Sequence, residues 1–311
     1  MDISIIIPVY NSERFLDRCM QSVLRATRSF AGTAEIIAID NNSNDRSFEI
    51  LKDFGKKYPK IVRPMQCKTP GAAAVRNFGV TQAHGEYIWF IDADDEVVSP
   101  SVNKLVTAAK SSAADLTTLG LTKIYPDGHQ DYIHAIHADD PDFASKFIRN
   151  ELGPVQVLIR REWYIEHDFK FLEGGIHEDM EMMPALILYT DKYASVDEPL
   201  YLYYQNAGSV LHPTKWSQRC MDIFPALRGL YRRFEKADAV SRYHDELEWF
   251  FIWNLLMDSA EYFRKFPEGR KGLAKSRAML RDYFPRWRHN RFLQRVNIRT
   301  KFKIYRNFIS F

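Results

Sequence analysis

Four short apolar runs separated by amphipathic stretches open the chain. Ser4–Val9 (SIIIPV) is β-branched and continuously apolar, as expected of a parallel strand buried on both faces. Phe15, Leu16, Cys19, Val23 and Leu24 then recur at helical spacing, which predicts a helix capped by Ser12 and running to Arg28. Glu35–Ile39 predicts a second strand, Asp45 or Ser47 opens a helix ending near Tyr58-Pro59, and Ile61–Met65 predicts a third strand. A Pro70-Gly71 turn precedes a small-residue helix, Ala72–Ala83, that Gly85 ends. Glu86–Ile91 (EYIWFI) predicts a fourth strand, and Ser99-Pro100 starts a helix with proline at its first position.

This β-α-β-α-β-α-β rhythm predicts an α/β fold with a mostly parallel sheet covered by helices. Ligands of such sheets sit beyond the carboxyl ends of the strands. Three polar clusters fall at those ends: Pro8-Val9-Tyr10-Asn11, Asp40-Asn41-Asn42 and Asp92-Ala93-Asp94-Asp95. From 115 to 212 the pattern is mixed. A hairpin of Leu116–Tyr125 and Gln130–Ile136 turns at Pro126-Asp127-Gly128, followed by a helix at Phe143–Asn150, a strand at Val155–Ile159, a helix at Asp179–Tyr189 and a strand at Leu200–Gln205. Beyond 213 the pattern is helical, near 215–236, 243–265, 270–284 and 289–309.

Charge changes this picture. Residues 1–212 hold 21 Lys/Arg against 30 Asp/Glu, a net of −9, whereas residues 213–311 hold 22 against 10, a net of +12. That shift places a domain boundary near residue 212. Cys19, Cys67 and Cys220 have no metal-ligand or redox spacing, which fits a reducing cytoplasm better than a disulfide framework. No signal peptide or run of 18 apolar residues is visible, so neither export nor a transmembrane helix is expected.

The three aspartates of Asp92–Asp95 repel one another unless something positive lies among them, and Mn²⁺ or Mg²⁺ on carboxylate and phosphate oxygens is the natural candidate. A solvated acidic turn is the alternative. The Asn- and Ser-rich run Asp40–Asp45 can accept from a base or a ribose hydroxyl, or can be an ordinary turn. The small residues after Gly71 would let an anion approach a helix N-terminus, and Arg76 could touch it or pair with one of the aspartates. Glu178 and Asp179 stand before an expected helix, where carboxylates are common on electrostatic grounds alone. His177 and His212 read as satisfied polar residues rather than ligands.

Together these segments resemble the inverting family-2 glycosyltransferases of the GT-A fold. The resemblance rests on SIIIPVYNSERFLDRCMQSVL, IIAIDNNSND, PGAAAVRNFGVTQAHGEYIWFIDADDEVVSP and HEDMEM, and it covers 1–212 but nothing beyond. It implies a GT-A catalytic domain over 1–212, with a nucleotide-sugar-binding half (1–100) and an acceptor half (101–212), plus a helical C-terminal region (213–311). It also implies a metal-dependent sugar transfer from a nucleotide sugar to a saccharide or lipid-linked saccharide, in surface polysaccharide or glycoconjugate synthesis. Pro8, Tyr10, Asn11, Asp40 and Asn41 would line the nucleoside pocket, Asp92 and Arg76 would touch the donor, and Asp94 and Asp95 would hold Mn²⁺ or Mg²⁺. Asp179, with Glu178 beside it, would be the catalytic base. Asn41 stands where the family often has a second aspartate reading a uracil N–H; its carbonyl oxygen can still accept that bond, although its NH₂ adds donors, so UDP is the expected nucleotide and dTDP or GDP are the alternatives.

A sugar-nucleotide pyrophosphorylase would carry a glycine-rich basic loop after the first strand, where PVYNSERF stands instead, and no Gly-x-Gly-x-x-Gly marks a dinucleotide enzyme. From Tyr283 onward there is no Asp or Glu but eight Lys/Arg among apolar residues. This predicts a basic amphipathic helix that lies either on an anionic membrane, making a cytoplasmic enzyme peripheral, or on the acidic domain. No recognition motif supports a nucleic-acid partner.

Overall fold

The computed structural model describes residues 1–150, 152–205 and 216–309, so the expected boundary at 212, and His212 with it, lies outside the described residues. Two compact units divide the chain: Met1–Phe143, Leu152–Gly174 and Tyr189–Ala207 form one, and Ala144–Glu151, Gly175–Leu188 and Gly208–Phe311 the other. The expectation grouped Glu178 and Asp179 with the sheet; the structure groups their segment with the C-terminal helices.

In the first unit β1 (Ile3–Val9), α1 (Glu13–Arg28), β2 (Ala34–Asp40), α2 (Ser47–Lys57), β3 (Val62–Gln66), α3 (Ala72–Gln82) and β4 (Tyr87–Phe90) follow the predicted rhythm. Next come β5 (Glu96–Val97), α4 (Ser101–Ser111), β6 (Leu116–Ile124), β7 (Gln130–Ile133), α5 (Phe143–Arg149, mostly in the second unit), β8 (Val157–Arg160), α6 (Arg161–Glu166) and β9 (Tyr193–Tyr204). All nine strands form one sheet in the order β3-β2-β1-β4-β8-β6-β9-β5, with β7 on β6. β1 runs parallel to both β2 and β4, β2 to β3 and β6 to β9, while β4–β8, β6–β8, β6–β7 and β5–β9 are antiparallel. The mixed α/β expectation therefore holds, with the parallel pairings concentrated in the predicted first four strands.

The strand order reverses beside β1: β2 and β3 extend to one side and β4 lies on the other. Carboxyl ends at such a reversal leave a crevice, because the connections depart in opposite directions. Alternation along β1 serves both faces. Ile3, Ile5, Ile7 and Val9 join a core with Leu16, Cys19, Val23, Leu105 and Val106 of α1 and α4, while Ile6 faces Gly79 of α3.

Several boundaries differ from expectation. Ser12 does not cap α1 with its side chain, since its hydroxyl donates to the Tyr10 carbonyl (3.0 Å). Pro100 stands at the cap position and α4 begins at Ser101. β8 starts two residues late because Pro154–Gln156 form a 3₁₀ turn closed by the Gln156 N–H on the Gly153 carbonyl.

In the second unit no regular helix spans Asp179–Tyr189. The Asp179 carbonyl accepts from Met182 and Met183, closing one turn. Pro184, with no N–H to continue the ladder, then opens a 3₁₀ helix to Tyr189. α7 (Ile223–Lys236), α8 (His244–Trp253), a π-turn at Asn254–Asp258, α9 (Ser259–Arg264) and α10 (Arg270–Tyr283) match the helical pattern. The helix expected over 289–309 is two, α11 (Arg291–Arg295) and α12 (Ile298–Ile309). Val296 is extended between them, and Asn290 and Asn297 each accept from backbone N–H groups of the following turn. Among the described residues no helix is long and apolar enough to cross a membrane.

Gly79 tests the α3–β1 contact. A Cβ there would lie 2.5 Å from Ile6 Cγ2 and 3.1 Å from Ile39 Cδ1. Gly79→Val should cost about 1–3 kcal/mol by overpacking, read as a lower urea midpoint; an unchanged midpoint would contradict this packing.

Candidate active site

Asn11 and Asn42 adopt positive φ (47° and 60°) at the ends of β1 and β2, and their loops are laced together. The Asn11 N–H donates to Ser43 Oγ (3.0 Å), Asn11 Oδ1 accepts from the Asn44 N–H (2.8 Å), and the Ser12 N–H donates to Ser47 Oγ (2.8 Å). Pro8 is half-buried in register with Ile39, and Tyr10, 60% exposed, stands over the strand end.

Asp40 is buried at the end of β2. Its Oδ2 accepts long bonds from the Ser43 N–H and Gln66 Nε2 (both 3.4 Å), while Oδ1 is buried with no hydrogen-bond partner. A buried acceptor left without a donor costs free energy, so this oxygen is open to one further N–H or O–H, from water or another group. Asn41 is differently occupied. Nδ2 donates to the Cys67 and Thr69 carbonyls (2.8 and 2.7 Å) and Oδ1 accepts from the Gly71 N–H (2.8 Å). The amide expected to read a base thus pins the 67–71 loop, and Gly71, at φ +110°, turns that loop into α3.

Arg76, buried one turn into α3, donates from Nη2 to Asp92 Oδ1 (2.9 Å) and lies over the Phe171 ring. The aspartates after β4 alternate. Asp92 and Asp94 are partly exposed, whereas Ala93 and Asp95 are buried. Asp95, expected with Asp94 as a metal ligand, is 1% exposed and accepts from the Tyr201 hydroxyl (2.7 Å) and the Tyr204 N–H (2.8 Å). Both its oxygens anchor β9 to the loop. Burial, then repulsion by Asp92 and Asp94, pushes its carboxyl up to about 8.

Residues that sequence reasoning missed hold this loop. The Tyr201 hydroxyl also accepts from the Asp92 N–H (3.1 Å). Arg18 of α1 donates to the Asp94 carbonyl (2.6 Å), pairs with Glu96 (3.2 Å) and lies 3.7 Å from the Tyr204 ring centroid. Asn77 of α3 donates to the Phe171 carbonyl and to Glu173, and accepts from the Phe171 N–H. Only the aromatic run LYLYYQ and the position of Arg18 on the outer half of α1 could have pointed to these partners.

In the second unit Glu178 and Asp179 are half-buried, and burial lowers the neighbouring His177 to about 4, keeping it neutral. Glu181 of the same segment pairs with Arg233 of α7 (3.0 Å) and lies against Gly229. His244, Asp245 and Glu248 cluster on α8, with Asp245 paired to Arg291. A groove of about 550 Å³ between α1 and α2 is lined by none of the strand-end residues.

Tyr201→Phe removes a donor to Asp95 and an acceptor for Asp92 in one step. Stability should fall by about 1–3 kcal/mol, visible in chemical denaturation; a wild-type curve would contradict the anchoring role.

The sequence model for Glycosyl transferase family 2 matches residues 4–167, more than half of the chain. Glycosyltransferase GlyG of Streptococcus pneumoniae is 25% identical over 240 residues, covering 71% of this chain and 78% of that protein. Poly(ribitol-phosphate) beta-glucosyltransferase of Bacillus spizizenii is 35% identical over 161 residues, 51% of this chain but 25% of that longer protein. The chain spans 62% of two further curated relatives. Among solved structures, S. aureus TarS 1-349 in complex with UDP-GlcNAc superposes with a TM-score of 0.74 at 17% identity, covering 99% of this chain and 89% of that one, which shows a shared fold. The strand-end carboxylates thus stand in a GT-A-like sheet, and the chain belongs to glycosyl transferase family 2.

Proposed function

We propose that the protein transfers a sugar, with inversion, from a UDP-sugar to an acceptor hydroxyl of a saccharide or lipid-linked saccharide in surface-polymer synthesis. The observation that carries this reading is the pair of half-exposed carboxylates, Asp92 and Asp94, at the carboxyl end of β4 where the strand order reverses. The UDP-GlcNAc in the similarly folded TarS and the polymer-glucosylating relative support the donor and acceptor classes.

Asp40 would receive a donor N–H or O–H at its unpartnered oxygen, with Tyr10 and Pro8 beside the nucleoside. Asn11 and Asn41 would act through the loops they lace. Arg76 would hold Asp92 against the donor. Hard carboxylate oxygens at this strand end fit Mn²⁺ or Mg²⁺, and aspartates set so close together repel one another unless a cation lies among them. Asp94, aided by Asp92, would hold that ion, while Asp95 supports the loop. When bound, it would stabilise charge on the departing diphosphate.

Asp179 would accept the proton of the acceptor hydroxyl as that oxygen attacks the anomeric carbon from the side opposite the diphosphate. The C–O bond to the acceptor forms as the bond to the diphosphate breaks, so the centre inverts without an enzyme nucleophile. Three free, buried cysteines fit a cytoplasmic protein.

Losing a general base typically costs ~10²–10⁴ in rate. Asp179→Asn should therefore lower kcat on that scale with donor affinity near wild type, and Glu178→Gln should be milder. A dead Glu178→Gln beside an active Asp179→Asn would move the role to Glu178; full activity in both would overturn this assignment.

A further inference from the structure

α12 carries apolar side chains on its outward face. At about 100° per residue, Ile298, Phe302 and Ile309 fall within about 40° of one another on the helix surface. They are 78%, 67% and 64% exposed, three of the largest exposures among apolar residues described. Arg299 and Arg306 flank this stripe on one side and Lys301 on the other.

The opposite face of α12 is already used within its own unit. Ile304 is fully buried, and Asn307 donates to the Leu256 carbonyl (2.7 Å). Lys303 pairs with Glu261 (3.0 Å) on that face too, while Trp287 packs against Phe308 and Tyr305 (4.9 and 5.6 Å between ring centroids) along one border of the stripe, Tyr305 falling about 20° from Ile298. The outward stripe is therefore not the helix's core-facing side. Arg295, Arg299 and Arg306 have no acidic partner among the described residues, and residues 283–311 contain no carboxylate side chain.

We infer that α12 is a membrane-surface anchor for anionic lipid, with Ile298, Phe302 and Ile309 entering the headgroup boundary and the flanking cations meeting lipid phosphates. Exposed apolar residues alone would suit many partners. Their placement between uncompensated cations, with no anion on the stretch, selects an apolar surface of negative charge. A protein partner would have to match both features along one helix. The inference is independent of the donor and base assignments above.

Flotation of the full chain with vesicles tests it. Wild type should float with phosphatidylcholine vesicles containing about 30% phosphatidylglycerol and not with phosphatidylcholine alone, and binding should weaken at high salt as charges are screened. Phe302→Asp with Ile309→Asp, or Arg299→Glu with Arg306→Glu, should each reduce partitioning by about tenfold or more while the melting temperature stays near wild type, because these side chains are exposed. Three results would overturn the inference: no flotation of wild type with anionic vesicles, equal flotation of the variants, or equal binding to neutral vesicles. A concentration-dependent dimer abolished by Phe302→Asp, without lipid binding, would assign the stripe to a second copy instead.

Discussion

Negative charge crowded at the end of a buried strand is the constraint around which the first unit is organised. Asp92, Asp94 and Asp95 follow an apolar strand whose residues are fully enclosed, so their mutual repulsion is poorly screened by water. The chain separates them by alternation. Asp95 goes inward onto the Tyr201 hydroxyl and the Tyr204 N–H, while Asp92 and Asp94 remain at the crevice. Arg76 from one side of the sheet and Arg18 from the other bring fixed positive charge, onto the Asp92 carboxylate and the Asp94 carbonyl respectively. β9 is thereby bound to the loop, and the antiparallel half of the sheet becomes part of the site's support.

The same economy appears around β2. Asn41 spends its whole amide on the 67–71 loop, which fixes the entry into α3 and so the height of Arg76. Asp40, its neighbour, keeps a buried oxygen without a donor. Adjacent residues of similar shape are thus used differently: the Asn41 amide donates and accepts within the protein, whereas the acceptor-only Asp40 carboxylate keeps one buried oxygen without a donor among the described residues.

Much of this was legible in the sequence because strand periodicity and strand-end polarity report local facts. SIIIPV, EIIAI and EYIWFI each predict a buried strand, and β1 runs parallel to β2 and β4, so the polar residues that follow them fall at one end of the sheet. The roles of Asp95 and Asn41 were not legible. Whether a carboxylate faces a crevice or a tyrosine 106 residues away depends on tertiary pairing, which spacing along the chain does not encode. Apolar spacing alone predicts one helix over Asp179–Tyr189; Pro184, which has no N–H to continue the ladder, breaks it. The C-terminal break at Val296 had no proline or glycine to announce it; asparagine caps, which are common in loops as well, set it.

The central claim is that the two half-exposed aspartates bind a metal together with a nucleoside diphosphate, while the buried one only supports them. Calorimetric titration of UDP in the presence and absence of Mn²⁺ tests it most directly, because ligands sharing a site must raise each other's affinity by the same factor. The account predicts that Mn²⁺ tightens UDP binding in wild type and in a folded Asp95→Asn variant, and that Asp94→Asn abolishes the enhancement. UDP affinity indifferent to Mn²⁺, or an enhancement that survives Asp94→Asn, would contradict it.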